Sequence, residues 1–333
     1  MDATPPLAAP PSPEPPAPDP ELDMALQALR APQRSSWLPL FVLSLVAFLV
    51  VERSSAPLQR ALIIAAVLLV HELGHALAMR ALGYRDVQVF FIPFFGALTS
   101  GRSEAAQRWK QAVVALAGPV PGIVLAAGVL LSPVDAHPLW HEVAWFAVLI
   151  NAFNLLPLGF LDGGRLLDGL IFQRHRLLEG AFSGLSALAF LWLAYALEDW
   201  VLGVVGFLSL AAVPHAFRRA TCAARLRGRL QAGDLAALPR EELEVLHGAA
   251  REVAGSQARP PVRAETMRQL HARATIPPAS AGATVALVAS WLLSLVLAAA
   301  VAVAGSRAAP SEPTAAGTSA GREQVRLEVE PVR

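Results

Sequence analysis

His71, Glu72 and His75 stand in the run His71-Glu72-Leu73-Gly74-His75, directly after ten unbroken apolar residues from Ala61 to Val70. On a helix, positions i and i+4 share a face, so both imidazoles can turn a nitrogen toward one metal ion. Glu72 then reaches a water at the ion's open position. That is the donor set of a metal-dependent hydrolase, with zinc the expected ion and Glu72 the expected base. The three-residue pattern is weak evidence by itself, and its placement at the end of an apolar run gives it weight. Ionisable groups inside a membrane span cost on the order of 3 kcal/mol each and persist mainly where they line a functional, hydrated cavity.

Catalytic zinc usually takes three protein ligands and keeps one position open, so a further donor is required. The stretch Asn151-Ala-Phe-Asn154-Leu-Leu-Pro157-Leu-Gly-Phe-Leu-Asp162-Gly163-Gly164-Arg165 offers one. An apolar helix carries two amides, breaks at Pro157, and turns through glycines around a carboxylate. Opened backbone at membrane depth must be buried in protein or face water, which suits a carboxylate presented to a metal. Asp162 is therefore the expected third ligand. The same residue could instead cap the following helix, and Asp168, in a second Asp-Gly pair, meets the same chemical requirement.

These residues must be held by membrane helices. Of the 333 residues 55% are hydrophobic and 16% charged, against about 25% charged in ordinary soluble domains, and the mean hydropathy is +0.48. Seven apolar runs approach the roughly 20 residues that cross a bilayer as a helix: Leu38 to Val51, Ala61 to Met79, Ala112 to Leu131, Val143 to Leu158, Ala181 to Leu197, Val201 to Val213 and Val285 to Gly305. The expectation is an all-α polytopic membrane protein with six to seven spans. The net charge of +1 is spread along the chain, which leaves a nucleic-acid partner no electrostatic footprint. The single cysteine, Cys222, can make neither an internal disulfide nor a multi-cysteine metal site.

Nine of the first twenty residues are proline, too many for a packed core, so residues 1–34 read as a disordered cytoplasmic tail. With no basic stretch leading into a short apolar core, the N-terminus does not read as a cleaved signal peptide. Residues 35–214 form the transmembrane domain, its core at 61–170. Residues 215–282 form a polar cytoplasmic insert of two or three short amphipathic helices, with Leu243, Leu246, Ala250 and Val253 at helical spacing. Residues 283–305 form a last span, and 306–333 an extracytoplasmic tail. Arg30 and Arg34, the stretch Arg80 to Lys110, Arg165 to Arg176 and Arg218 to Arg273 all fall on one side of this arrangement, which by the positive-inside rule is the cytoplasm.

The chain resembles the site-2 proteases, a family of intramembrane zinc metalloproteases. His71-Glu-Leu-Gly-His75 matches the family's metal-binding motif, and Asn154, Pro157 and Leu161-Asp162-Gly163 match its second motif. Ala117-Gly118-Pro119 resembles its intervening Gly-Pro segment. The resemblance covers roughly Ala61 to Leu170 and implies a core of about three helices with one zinc ion per chain on His71, His75 and Asp162. It further implies Glu72 as base, Asn154 near the substrate backbone or oxyanion, and transmembrane proteins as substrates within the lipid bilayer. The membrane implied is the bacterial cytoplasmic membrane. The family often continues the Gly-Pro segment to an asparagine where this chain has Gly122. Many relatives carry a PDZ module, for which only Ser132 to Leu139 is available here, and residues 215–282 do not read as a CBS domain. In the family a segment such as Val87 to Gly101 forms a short membrane-associated β-hairpin whose edge could pair with an unwound substrate.

Two other readings use the same residues. A membrane zinc transporter or metal sensor also needs intramembrane donors, but it would stage them across the bilayer, and nothing polar links His71 to His137 and His141. A proteolytically inactive relative that binds membrane segments would be expected to lack part of the donor set, which is complete here.

Overall fold

The computed structural model describes residues 19–30, 37–55, 57–92, 96–102, 107–132 and 137–308. Among the described residues twelve α-helices and one hairpin run in the order α1 (Pro20–Arg30), α2 (Trp37–Ser55), α3 (Leu58–Ala81), β1 (Arg85–Ile92), β2 (Gly96–Arg102), α4 (Arg108–Ala117), α5 (Pro119–Leu130) and α6 (Pro138–Asn154). There follow α7 (Asp162–Leu170), α8 (Arg176–Leu197), α9 (Trp200–Leu226), α10 (Arg240–Ala254), α11 (Pro260–Thr275) and α12 (Ala281–Ala308). The protein is an all-α polytopic membrane protein. Among the described residues five helices are long and apolar enough to cross a bilayer: Leu58–Ala81, Arg108–Leu130, Arg176–Leu197, Trp200–Leu226 and Ala281–Ser306. The other two runs counted in the sequence give shorter apolar helices, the Phe41–Val51 part of α2 and the 17-residue α6.

The helix carrying the two histidines is stopped by a glycine. At the end of α3, Gly83 takes φ +86° while Tyr84 N donates to the Met79 carbonyl and Gly83 N to that of Arg80. This is the paired closure of a left-handed C-terminal cap. The chain then enters the antiparallel hairpin, in register from Gln88 opposite Ser100 to Ile92 opposite Gly96, with an irregularity between Arg85 and Gln88. β1 packs against α2 and α3, and β2 against α3.

Small residues set the spacing around α3. A methyl group on Gly74 would overlap the Ala117 carbonyl, and one on Gly118 would overlap the His75 ring, so α3 and α4 meet backbone to backbone. Pro119 at the first position of α5 lacks an N–H and lets the helix restart at the Gly118 bend. Below this contact Ile63 and Val67 of α3, Ala126 and Leu130 of α5, Ala144 and Val148 of α6 and Val301 of α12 form one core. Leu166, Leu167 and Leu170 of α7 pack with Ala112 and Ala115 of α4 and with Trp291 and Ala298 of α12 in another.

The break after α6 is stabilised from outside. Trp291 Nε1 donates to the Leu155 carbonyl at 2.8 Å, and Ser186 Oγ accepts from Gly159 N at 3.1 Å. Methyl groups on Gly163 or Gly164 would strike the Leu155 or Leu158 carbonyls, so only glycine lets α7 start this close to the opened segment.

The N-terminal expectation needs correction. A disordered tail through residue 34 does not describe Pro20–Arg30, which is helical. Leu22, Ala25, Leu26 and Leu29 lie one side of α1 at the spacing of an amphipathic helix. They pack on Leu243, Leu246 and Ala250 of α10, Met267 and Leu270 of α11, and Cys222, Ala223 and Leu226 of α9. Burial of this stripe outweighs the prolines before it. The first 18 residues, and 309–333 of the expected C-terminal tail, lie outside the described residues. Residues 215–282 carry α10 and α11, and α9 runs through Pro214 into this segment without ending.

Charge holds α1 in place. Glu21 meets Arg263 at 2.7 Å and Arg251 at 3.6 Å, Asp23 meets Arg240 at 3.7 Å, and Asp19 lies 3.4 Å from His247 Nδ1. Arg263 Nη1 lies 3.3 Å from His247 Nε2, a contact that requires that nitrogen to accept and the ring to be neutral. Burial, followed by Asp19 acting in the opposite sense and by Arg263 and Arg251, holds His247 below its ordinary value of 6.5. A histidine kept neutral in the folded state contributes stability above its unfolded pKa and loses it as pH falls through that value. Asp19 is also held low. Burial pushes it up, but the Leu22 and Glu21 amides and His247 more than offset this, so its contribution fades further into acid. We predict that α1 loosens from the insert as pH drops below about 6.5, read as rising amide exchange at Leu22 to Leu29, corrected for intrinsic rate. His247→Gln should flatten that dependence.

Candidate metal centre

His71 and His75 lie on one face of α3, with His75 six residues, or about 9 Å, from the end of the helix. Both are buried, as are Glu72, Asn151 and Asp162. Asp162 opens α7, where the N-cap position belongs to Leu161 and makes no side-chain cap. Its carboxylate does not serve its own helix. Asp162 Oδ2 sits 3.1 Å from His71 Nε2 and 3.2 Å from His75 Nε2, and the two Nε2 atoms are 3.0 Å apart. Three donors from two distant segments thus converge in a near-equilateral triangle.

The outer nitrogens fix which atoms face that triangle. His75 Nδ1 lies 2.7 Å from the Val114 carbonyl, which only accepts, so Nδ1 carries the proton. His71 Nδ1 lies 2.7 Å from Asn151 Oδ1. The Asn151 amide cannot be turned the other way, because its Nδ2 donates to the Ala147 carbonyl at 2.7 Å; His71 Nδ1 is therefore the donor as well. With each ring neutral, both Nε2 atoms present lone pairs, and so does the carboxylate. Three lone pairs about 3 Å apart in a buried site repel unless a cation lies between them. Tetrahedral zinc, with bonds of about 2.0–2.1 Å, spaces its donors about 3.3 Å apart, so these residues fit that ion. The donor atoms of His71, Glu72 and His75 also lie within 4.8 Å of one another, but Glu72 differs in kind from Asp162. Its Oε2 is buried with no hydrogen-bond partner.

Of the two aspartates left open in the sequence, Asp162 faces the imidazoles. Asp168 accepts from Gln173 Nε2 at 2.8 Å and lies 3.9 Å from Arg273, at the other end of α7. Asn154 folds back along its own helix, its Nδ2 donating to the Ile150 carbonyl at 3.0 Å. Among the described contacts it makes none to His71, His75 or Asp162. Asn151, quoted in the same sequence stretch without a role, is the amide that reaches His71. It has room because residue 122 is glycine, where a methyl group would overlap its amide. Neither this contact nor the Val114 carbonyl leaves a trace in spacing. The hairpin touches the site through Thr99, whose hydroxyl donates to the Glu72 carbonyl at 3.2 Å.

Residues 59–137 match the model of peptidase family M50. This segment is similar to that family. The match bears out the resemblance to the site-2 proteases. The chain is also similar to a putative zinc metalloprotease, Rip3, of Mycobacterium tuberculosis, at 33% identity over 165 residues, covering 45% of this chain and 42% of the relative. It is 33% identical over 142 residues to stage IV sporulation protein FB of Bacillus subtilis, covering 42% and 49%. It is 31% identical over 151 residues to a probable chloroplastic zinc metalloprotease, EGY2, of Arabidopsis thaliana, covering 32% and 27%. The chain thus spans less than half the length of these relatives. The matched segment contains His71, Glu72, His75 and Val114, while Asn151 and Asp162 come from beyond it.

Because Asn151 holds the ring of His71 and its tautomer, Asn151→Ala should weaken zinc retention by roughly 10- to 100-fold. Competition against a chelator, followed by metal analysis of the purified protein, measures this. Asn154→Ala serves as the comparison that leaves zinc in place.

Proposed function

We propose that the protein is a zinc-dependent intramembrane endopeptidase that hydrolyses peptide bonds within or near transmembrane segments of membrane proteins. The observation that carries this reading is the triangle of His71 Nε2, His75 Nε2 and Asp162 Oδ2, three ligand atoms 3.0–3.2 Å apart. These residues hold one zinc ion per chain. When bound, zinc lowers the pKa of a coordinated water toward about 7 and polarises a carbonyl.

The chain's own residues do the rest. Glu72 Oε2, buried and unpartnered, takes a proton from the attacking water and delivers it to the leaving amine. Asn151 and Val114 keep both imidazoles in the tautomer that leaves Nε2 free. The buried wall around the donors excludes bulk water and strengthens their electrostatic action. A peptide bond in a helix is hydrogen-bonded and shielded, so the substrate must be extended before attack. The hairpin edge beside Glu72 takes it as an added strand, with Thr99 tying strand and catalytic helix together. Asn154, at the mouth of the break, meets the substrate backbone. The protein is a multi-pass protein of a bacterial cytoplasmic membrane, and the arginine distribution supports an N-terminus in the cytoplasm.

Glu72→Gln is expected to keep its zinc and lose roughly 10²- to 10⁴-fold in hydrolysis. The test maps peptide termini inside transmembrane segments of the membrane proteome, comparing cells carrying the wild type and the variant. Termini found only with the wild type name the substrates, and equal proteolysis by the variant removes Glu72 as base. In purified protein Asp162→Ala should lose zinc while Asp168→Asn retains it. The reverse outcome transfers the ligand role to Asp168.

A further inference from the structure

A second cluster of charge lies where three membrane helices end. Arg108 is the first residue of α4, Arg176 the first of α8, and Arg227 directly follows the last residue of α9. With Arg273 of α11 they line a cleft together with Gln173 and Glu179.

The charges in this cleft do not balance. Arg108, buried, donates to the side-chain oxygen of Gln173 and to the Arg273 carbonyl, both neutral. Arg227 donates to the carbonyls of Gln173 at 2.8 Å and Arg174 at 3.3 Å, also neutral. Arg219, behind the cleft, interacts with Asp168, Glu179 and Arg273, yet its Nε is buried without a partner. Arg176 is exposed at the rim. The acidic side consists of Glu179, paired with Arg273, and Asp168, 3.9 Å from the same guanidinium. Five guanidinium groups thus face two carboxylates. Positive charge taken partly out of water without an anion is costly, and planar guanidinium forks match the oxygens of a phosphate.

We propose that this cleft binds a phosphate group. Its place at the ends of three spans points to the phosphodiester of an anionic phospholipid, and a soluble phosphate is the other source of the same chemistry. The enclosed part has room for little more than a water, so the anion sits at the mouth, between Arg176 and Arg227 with Arg273 behind. Leu177 and Leu178, exposed on α8, and Phe217, exposed on α9, give acyl chains an apolar flank. Occupancy relieves the repulsion among the guanidinium groups of α4, α8, α9 and α11.

The test uses the full chain, purified and stripped of lipid, in native mass spectrometry with phosphatidylglycerol or phosphatidylcholine. A parallel thermal-unfolding series uses inorganic phosphate against chloride at equal ionic strength. Arg176→Gln/Arg227→Gln removes the two rim cations, Arg176→Lys/Arg227→Lys keeps their charge without the fork, and Arg268→Gln is a distant control. Zinc content of each variant reports folding independently. The wild type and the control should retain one phosphatidylglycerol in preference to phosphatidylcholine, the glutamine pair should bind it about tenfold or more weakly, and the lysine pair should fall between. A response to inorganic phosphate alone, lost in the glutamine pair, assigns the same site to a soluble ligand. Equal behaviour of the wild type and the glutamine pair toward both probes, or no response in either, overturns the proposal.

Discussion

Three lone pairs brought to within about 3 Å of one another are the constraint on which the rest of this protein depends. Left alone, they would spread apart. They are held because each of their carriers is fixed from behind: His75 by a backbone carbonyl of α4, His71 by an amide of α6, and Asp162 by a helix start wedged against an opened chain. The fold stores electrostatic repulsion in order to present a site complementary to a divalent cation. Much of its unusual local structure can be traced to that requirement.

The glycines show how. Gly74 and Gly118 bring α3 and α4 close enough for a main-chain oxygen to reach an imidazole, and Gly122 leaves the hole that Asn151 fills. Gly163 and Gly164 let α7 begin beside carbonyls that belong to no regular helix. Hydrocarbon offers those carbonyls no partner, so Trp291 of a distant span donates to one and Ser186 serves the neighbouring amide. The sites of closest backbone approach are therefore the sites that position the donors, and van der Waals packing and the geometry of the triangle are determined by the same residues.

Much of this was legible in the amino-acid order. His71 and His75 at i and i+4, the apolar run before them, Pro157 and the glycines around Asp162 led from spacing to a metal, a broken helix and a polytopic α-fold. The choice between Asp162 and Asp168 was not legible, because both follow the same local pattern and only the packing of α7 turns one toward α3. The role of Asn151 was hidden for a related reason. Two amides one turn apart on a helix look equivalent until the neighbouring helix shows a gap opposite one of them. Helix α1 was masked by composition, since the prolines before it dominate the average while its four apolar contacts find their partners more than 190 residues away. Long-range complementarity does not appear in periodicity.

The 27 residues of α9, about 40 Å of continuous helix, run from a membrane span into the centre of the polar insert. There Cys222, Ala223 and Leu226 share one core with α1, α10 and α11. The insert is accordingly no detachable module. Excising it would uncover an apolar stripe on the protruding end of α9 and strand α1, and a graft onto another membrane core would have to carry both helices with it. Its boundary in space is not the boundary at which polar sequence begins, and recombination or truncation that respects only the latter cuts through a hydrophobic core.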